Sequence, residues 1–226
     1  MKTRTLLIWN WILMALPWVA TLAILPHLPE QIPAHYGFDG QVDRWGSKYE
    51  ALIFPVLALV TGLLLLGIAR FAGRAEKGGE NNRKISLLAG VVALAVMDAM
   101  TAYFLYTDLA QTTDLAALSL DLHQILFGLL GVGMILLGNG MPKLRRNAVV
   151  GLRTSWSQRS DAAWKKSQQI GGRVFLVTGA LTVVLCLLVG GLWCFVGTMA
   201  LLLGGTVVAL WWSYQAVKGM QEEDSL

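Results

Sequence analysis

The chain has 226 residues, 55% of them hydrophobic and only 14% charged, with a formal net charge of +4. A soluble domain carries about 25% charged residues, so this chain has too little charge to cover a globular surface. That argues against a soluble enzyme, a disordered chain and a nucleic-acid-binding domain, and leaves a polytopic membrane protein.

A membrane-spanning helix needs ~20 apolar residues. Residues 5–25 form the first such run, after Met1-Lys2-Thr3-Arg4. The run is longer than the ~7–15-residue apolar core of a signal peptide, and no small-residue cleavage site follows it. It therefore reads as an uncleaved span. Residues 51–69 form the second run, without charge. Residues 85–107 form the third, interrupted only by Asp98. Residues 118–141 form the fourth, with Asp121, His123 and Gln124 near its start. Residues 174–217 contain no charged side chain. As one helix at ~1.5 Å per residue this stretch would be about twice the ~30 Å hydrocarbon thickness. It must fold back, and Gly190-Gly191 is the natural turn, with Trp193 as an interfacial anchor. Spans five and six are then 174–189 and 193–214. The expected fold is all-α, a polytopic membrane helical bundle with six transmembrane helices in one integral membrane domain, 1–226.

Six spans put both termini on one side. With the termini inside, only Arg44 and Lys48 lie outside, and 16 of the 18 Lys and Arg residues lie inside, Lys77 among them. This asymmetry fits the positive-inside rule. It makes 26–50 an extracytoplasmic loop and 142–172 a cytoplasmic loop of a multi-pass protein in the cytoplasmic membrane. The basic excess is thus a topology signal plus contact with anionic membrane lipids, and direct binding of nucleic acid is not expected.

The outer loop contains Pro26, Pro29 and Pro33, which fix φ and remove donors, and Gly37, Gly40 and Gly46, which allow tight turns. It reads as a rigid cap of defined shape, without a helix. Tyr36, Phe38 and Trp45 are interleaved with Asp39, Asp43 and Arg44. Such a mixture suits an outer ligand; the aromatics equally suit the headgroup belt, and composition leaves both open. His35, Asp39 and Asp43 recur every four residues, but Pro and Gly oppose the helix that would align them. Nothing resembles a closed zinc site, so no metal or cofactor is expected.

In the inner loop, Ser160 suits an N-cap, Asp161 a first turn, and Lys165 and Lys166 the later part of a helix that Gly171-Gly172 would end. This predicts a short cytoplasmic amphipathic helix over 161–170, with Trp164 facing the membrane or the bundle. The loop is either a basic surface on anionic lipid or a docking surface for a cytoplasmic protein. Asp98, the one charge inside a span, is read chiefly as a structural hydrogen-bonding group, with Asn10 as one candidate partner; a proton site stays open. Ala95/Ala99 and Ala200/Gly204 are small-residue pairs for close helix contact. No nucleophile motif or paired intramembrane aspartate is visible, so catalysis is not expected. Cys186 and Cys194 lie in apolar runs and indicate neither a disulfide framework nor a metal cluster.

Two segments carry a resemblance. Asn147-Ala148-Val149-Val150-Gly151-Leu152-Arg153-Thr154-Ser155-Trp156, followed by Trp164-Lys165-Lys166 and Gly171-Gly172, resembles the signature of the SdpI family, N-x-x-x-G-[IL]-R-T-P-W before a Trp-Lys-rich helix ending in Gly-Gly. Leu28-Pro29-Glu30-Gln31-Ile32-Pro33-Ala34-His35, with Gly40, Asp43 and Gly46-Ser47-Lys48, resembles the N-terminal domain of unknown function often found in these proteins. The chain departs from the pattern at Ser155, where the family has Pro, and at Ser167-Gln168, where Thr-His is common. The resemblance implies a bacterial immunity protein that protects against a secreted peptide toxin, and in some members signals by holding a transcriptional repressor at the membrane. On that reading Pro33, His35, Tyr36, Asp39, Asp43, Arg44 and Trp45 sense the toxin outside. Asn147, Gly151, Arg153, Thr154, Trp156, Trp164, Lys165 and Lys166 bind the partner inside. A transporter of a small amphiphile using Asp98, and a membrane enzyme acting on envelope material, are the competing readings.

Overall fold

The computed structural model describes residues 2–37, 39–74, 79–119 and 121–223, with side chains through Met220. Phe38 and Lys77 lie outside the described residues. Six helices are long and apolar enough to cross a membrane: α1 (Thr3–Ile24), α2 (Ile53–Ala72), α3 (Gly79–Leu109), α4 (Leu122–Gly140), α5 (Asp161–Leu188) and α6 (Gly191–Glu223). They form two trios, α1–α2–α3 and α4–α5–α6, joined where α3 packs on α4. Between α1 and α2 the chain adds a hairpin of β1 (Gln31–Tyr36) and β2 (Val42–Ser47). Large apolar side chains such as Val19, Leu64, Leu187, Leu203 and Val207 cover the outside of the helices, as a lipid-facing surface requires.

The buried helix faces mix small and polar residues with leucine and methionine at the spacing of one helix face. On α1 the buried residues are Leu6, Asn10, Met14, Pro17 and Thr21. Asn10 donates to the Leu6 and Leu87 carbonyls at 2.8 and 3.0 Å, and its Oδ1 lies against Gly90. Any side chain at Gly90 would collide with it. Lipid offers no hydrophobic drive between helices, so close backbone approach supplies the packing energy. It is closest between α4 and α5. A Cβ at Gly172 would lie 2.6 Å from the Gly138 carbonyl oxygen, and one at Gly179 would lie 2.6 Å from that of Gly131. Both pairs repeat after seven residues on antiparallel helices.

This packing overturns one expectation. Gly171-Gly172 does not end a short helix; α5 runs unbroken to Leu188. Neither glycine has the positive φ of a helix-ending turn; Gly172 instead lets the α4 backbone approach. The amphipathic stretch from Asp161 is therefore the protruding first part of a span. Another small-residue expectation also fails: Gly204 has nothing within 4 Å of a built Cβ, and the neighbouring Gly205 makes the contact, against Thr178.

The turn at Gly190-Gly191 is as expected. α5 ends before Val189, Gly191 adopts φ +57°, and Trp193 beside it is 73% exposed. The turn is tied to the start of α4: Asp121 accepts from the Gln124 and Gly191 N–H groups, and Gln124 donates to the Val189 carbonyl. Cys186 and Cys194 are free and buried across this turn.

Candidate functional site

The two ends of the bundle differ in kind. At one end sits the hairpin. Its strands are antiparallel, with Pro33 opposite Trp45 and Tyr36 opposite Val42. The register leaves Ala34 extra on β1 and then Asp43 extra on β2, two bulges within five pairs. Pro33 lacks an N–H, yet the bulge and the two-stranded sheet leave room for it, and its side chain is buried. The bulged Asp43 turns back so that its carboxylate meets His35 Nδ1 at 2.6 Å. Asp39 is used differently: its Oδ1 accepts from the Gln41 N–H in the turn. The four-residue recurrence of His35, Asp39 and Asp43 thus makes one pair and one turn cap. No group of three or more metal-capable ligands occurs among the described residues.

The hairpin is pinned from three sides. Arg44 donates to both Glu50 oxygens, at 3.1 and 2.8 Å, and Lys48 pairs with Glu30 at 2.7 Å. Leu28 and Ile32 pack with Ala51 and Leu105 beneath it. The third side is the segment between α3 and α4, whose part the sequence reading missed. The Val42 N–H donates to the Thr113 carbonyl, the Leu115 N–H donates to the Gly40 carbonyl, and the Tyr36 hydroxyl donates to the Thr112 carbonyl at 2.9 Å. Burial raises the pKa of Tyr36 above its ordinary value, so the phenol stays a donor. The cap is a preformed surface on which His35, Asp39, Asp43, Arg44 and Trp45 are exposed, whereas Tyr36 is half-buried and Pro33 buried.

At the other end the loop 144–160 lies on protruding turns of α3, α5 and α6. Its conformation follows from a chain of side-chain-to-backbone bonds. Asn147 Oδ1 accepts from the Val149 and Val150 N–H groups, and its Nδ2 donates to the Arg145 and Val150 carbonyls. Gly151 follows at φ +103°, where a Cβ would lie 2.6 Å from Gln168 Oε1. Only glycine fits there without strain. Thr154 and Ser157 cap each other's N–H groups, and Ser157 also donates to the Leu152 carbonyl.

Four buried side chains then stitch the loop to the helices. Asn82 of α3 accepts from the Arg145 N–H. Trp164 of α5, 2% exposed, donates to the Leu144 carbonyl at 2.9 Å. Gln168 of α5 makes two bonds to Leu152. Ser213 of α6 accepts from Trp156 Nε1 at 3.0 Å and donates to Ser167 of α5, while the Trp156 ring stands edge-on to Tyr214.

The expected partner-binding residues therefore divide. Arg153, Lys165 and Lys166 are exposed. Trp164 is core, against the expectation that it serves a partner, and Asn147, Gly151, Thr154 and Trp156 spend their distinctive groups on the loop itself. Sequence reasoning missed Asn82, Ser157, Ser167, Gln168 and Ser213. The signal available was that Ser167-Gln168 is where the chain departs from the family's usual pair.

Asp98 is also corrected. Both its carboxylate oxygens are buried without a hydrogen-bond partner, and Asn10 bonds elsewhere. Trp18 Nε1 and Thr21 Oγ1 of α1 are likewise unpartnered.

The two ends coincide with the two segments that match known families. Residues 12–59, which run from α1 through the hairpin into α2, match DUF1648, a domain of unknown function. Residues 143–213, which run from the loop through α5 and most of α6, match the SdpI/YfhL protein family. The chain is 25% identical over 183 residues to a Bacillus subtilis protein named Immunity protein SdpI, covering 79% of this chain and 80% of the relative. It is 37% identical over 67 residues to an uncharacterized protein of Archaeoglobus fulgidus, covering 30% of this chain and 37% of that one. No solved structure matches. The resemblance carried by the two loop motifs is borne out over both segments.

Proposed function

We propose that this six-span membrane protein is an SdpI-like immunity protein that protects its cell from a secreted peptide toxin. The observation that carries the reading is the likeness to a named immunity protein over 79% of this chain. The hairpin end faces outside, where a toxin arrives, and offers a preformed surface with exposed Trp45, Arg44 and the His35–Asp43 pair. The basic end and both termini lie in the cytoplasm, in keeping with the charge asymmetry. There Arg153, Lys165 and Lys166 form the surface for a cytoplasmic partner such as a transcriptional repressor. Protection of this kind rests on binding, not catalysis.

The test is expression of the chain in a toxin-sensitive strain that lacks its own immunity gene, followed by exposure to the killing peptide. Survival above the empty vector supports the reading. Survival equal to the empty vector, with the protein present in the membrane, overturns it. A second reading, transport of a small amphiphile, is favoured by one observation, the unpartnered Asp98 carboxylate inside a span.

A further inference from the structure

Beside the loop 144–160 the packing leaves a cavity of about 310 Å³. This lies at the lower end of the ~300–1,000 Å³ typical of small-molecule sites. Its wall combines both trios: Ile85 and Ala89 of α3, Leu137 of α4, Phe175 of α5 and Ala209 of α6, with Leu144 and Leu152 of the loop. Only two side chains in the wall carry hydroxyls, and both spend their donor within their own helix, which leaves acceptor lone pairs alone. Ser86 donates to the Asn82 carbonyl and Thr206 to the Leu202 carbonyl, each at 2.8 Å. A polar guest would lose its hydration and find two acceptors at most among these side chains. Such a wall suits hydrocarbon.

The loop that supplies part of this wall is basic. Each loop leucine in the wall is followed in sequence by an arginine: Leu144 by Arg145, and Leu152 by Arg153. Buried Trp164 and Gln168 hold the two leucines inward, and both arginines are exposed. Among the described residues neither guanidinium is engaged in an ion pair. An apolar chamber walled by two leucines whose neighbours in the chain are exposed arginines fits a guest with an apolar tail and an anionic head. Ile85 and Ala89 place the cavity beside the second and third turns of α3, on the side of the basic loop.

We propose that this cavity holds one acyl chain of an anionic phospholipid, with the head group on Arg145 and Arg153. The lipid then fills the space between the trios and sets the position of the loop it supports.

The test uses the full-length protein in neutral detergent, with no toxin or partner present. It is mixed with phosphatidylcholine vesicles doped with a phosphatidylglycerol that carries a photoreactive acyl chain, and the labelled peptides are mapped. Retention of phosphatidylglycerol over phosphatidylcholine is measured by native mass spectrometry. The expected result is one retained phosphatidylglycerol and label on 85–89 and 205–209. Arg145→Gln and Arg153→Gln should each weaken the phosphatidylglycerol preference about fivefold. Ala209→Leu should remove the cavity label. Ala89→Leu, from the opposite wall, repeats that test if the first variant folds poorly. Equal retention of both lipids, label confined to outward residues such as Leu203 and Val207, or a well-folded Ala209→Leu or Ala89→Leu that labels like the parent would each overturn the proposal. So would displacement of the lipid only by an apolar peptide, since the chamber would then be a peptide site.

Discussion

Gln168 and Leu152 form two hydrogen bonds with each other: the side-chain Oε1 accepts from the Leu152 N–H at 2.9 Å, and Nε2 donates to the Leu152 carbonyl at 2.9 Å. One buried amide thus replaces the backbone partner that Leu152 would have in a sheet. The Leu152 carbonyl has a second donor in Ser157, but its N–H has only Gln168. Gln168→Ala orphans that N–H, a loss of about 1–3 kcal/mol. Gln168→His, the residue common in the resembling family, keeps one donor and one acceptor. The melting temperature in detergent should fall in the order Gln, His, Ala. An alanine variant that melts with the parent would show that this clamp does not hold the loop.

The α4–α5 contact makes a sharper stability prediction. Gly172→Val places a side chain against the Gly138 carbonyl, 2.6 Å from the built Cβ, and backbone cannot move aside cheaply. Membrane abundance should collapse, by the route of an overpacked core worth ~1–3 kcal/mol or more. Gly204→Val is the control, because nothing lies within 4 Å of its Cβ. The two glycines look alike in the sequence; equal abundance of the two variants would refute the backbone-contact account.

That contrast marks how far the sequence could be read. The spans, the Gly190-Gly191 turn and a structured outer loop were legible, because apolar run length and Pro/Gly chemistry are local signals. Gly171-Gly172 was misread because the same dipeptide either stops a helix or admits a neighbour, and only the partner helix decides. The cap's second segment, 112–115, was illegible because its backbone pairs with Gly40 and Val42 by N–H and carbonyl groups, which carry no residue signature. Asn82 and Ser213 were passed over for a related reason: an isolated polar residue near a helix end looks solvated until the segment it holds is in place.

Asp98 gives a prediction with opposite signs for stability and function. Among the described residues its two carboxylate oxygens are buried and make no hydrogen bond, so their burial costs stability. Asp98→Asn should leave abundance and melting little changed. Asp98→Leu removes an unsatisfied group and should raise stability by about 1 kcal/mol or more. Protection that survives in the stabilised leucine variant would make Asp98 dispensable. Protection lost with higher stability would mark it as functional and favour the transport reading. A leucine variant that melts well below the parent would show that the carboxyl has a partner after all.

The last prediction concerns the division between the two ends. The residues first grouped as one inner surface differ in what their loss removes. Trp164 is core, bonded to Leu144 and packed with Met141. Trp164→Ala therefore opens a cavity worth about 3–5 kcal/mol and should damage abundance, protection and signalling together. Trp156→Phe gives up only its bond to Ser213, about 0.5–1.5 kcal/mol, and should be mild in all three. Lys165 and Lys166 project from the first turns of α5 and carry no fold-making bond in the described structure. The double change to alanine should leave abundance and survival near the parent's while lowering recruitment of a cytoplasmic partner. It is a cleaner probe than Arg153, which is also assigned above to the lipid head group. At the hairpin, Trp45 is 45% exposed and holds no described hydrogen bond. Trp45→Ala should reduce protection at normal abundance, and reduce recruitment with it if toxin arrival outside is what triggers docking inside. The ends lie a bilayer apart, so such coupling requires a helix arrangement that differs between toxin-free and toxin-bound states. Survival, membrane level and partner co-localisation measured in the same strains separate these cases. Normal recruitment in a well-expressed Lys165→Ala/Lys166→Ala variant would remove the docking role from this face. Full protection by Trp45→Ala would remove toxin contact from that one.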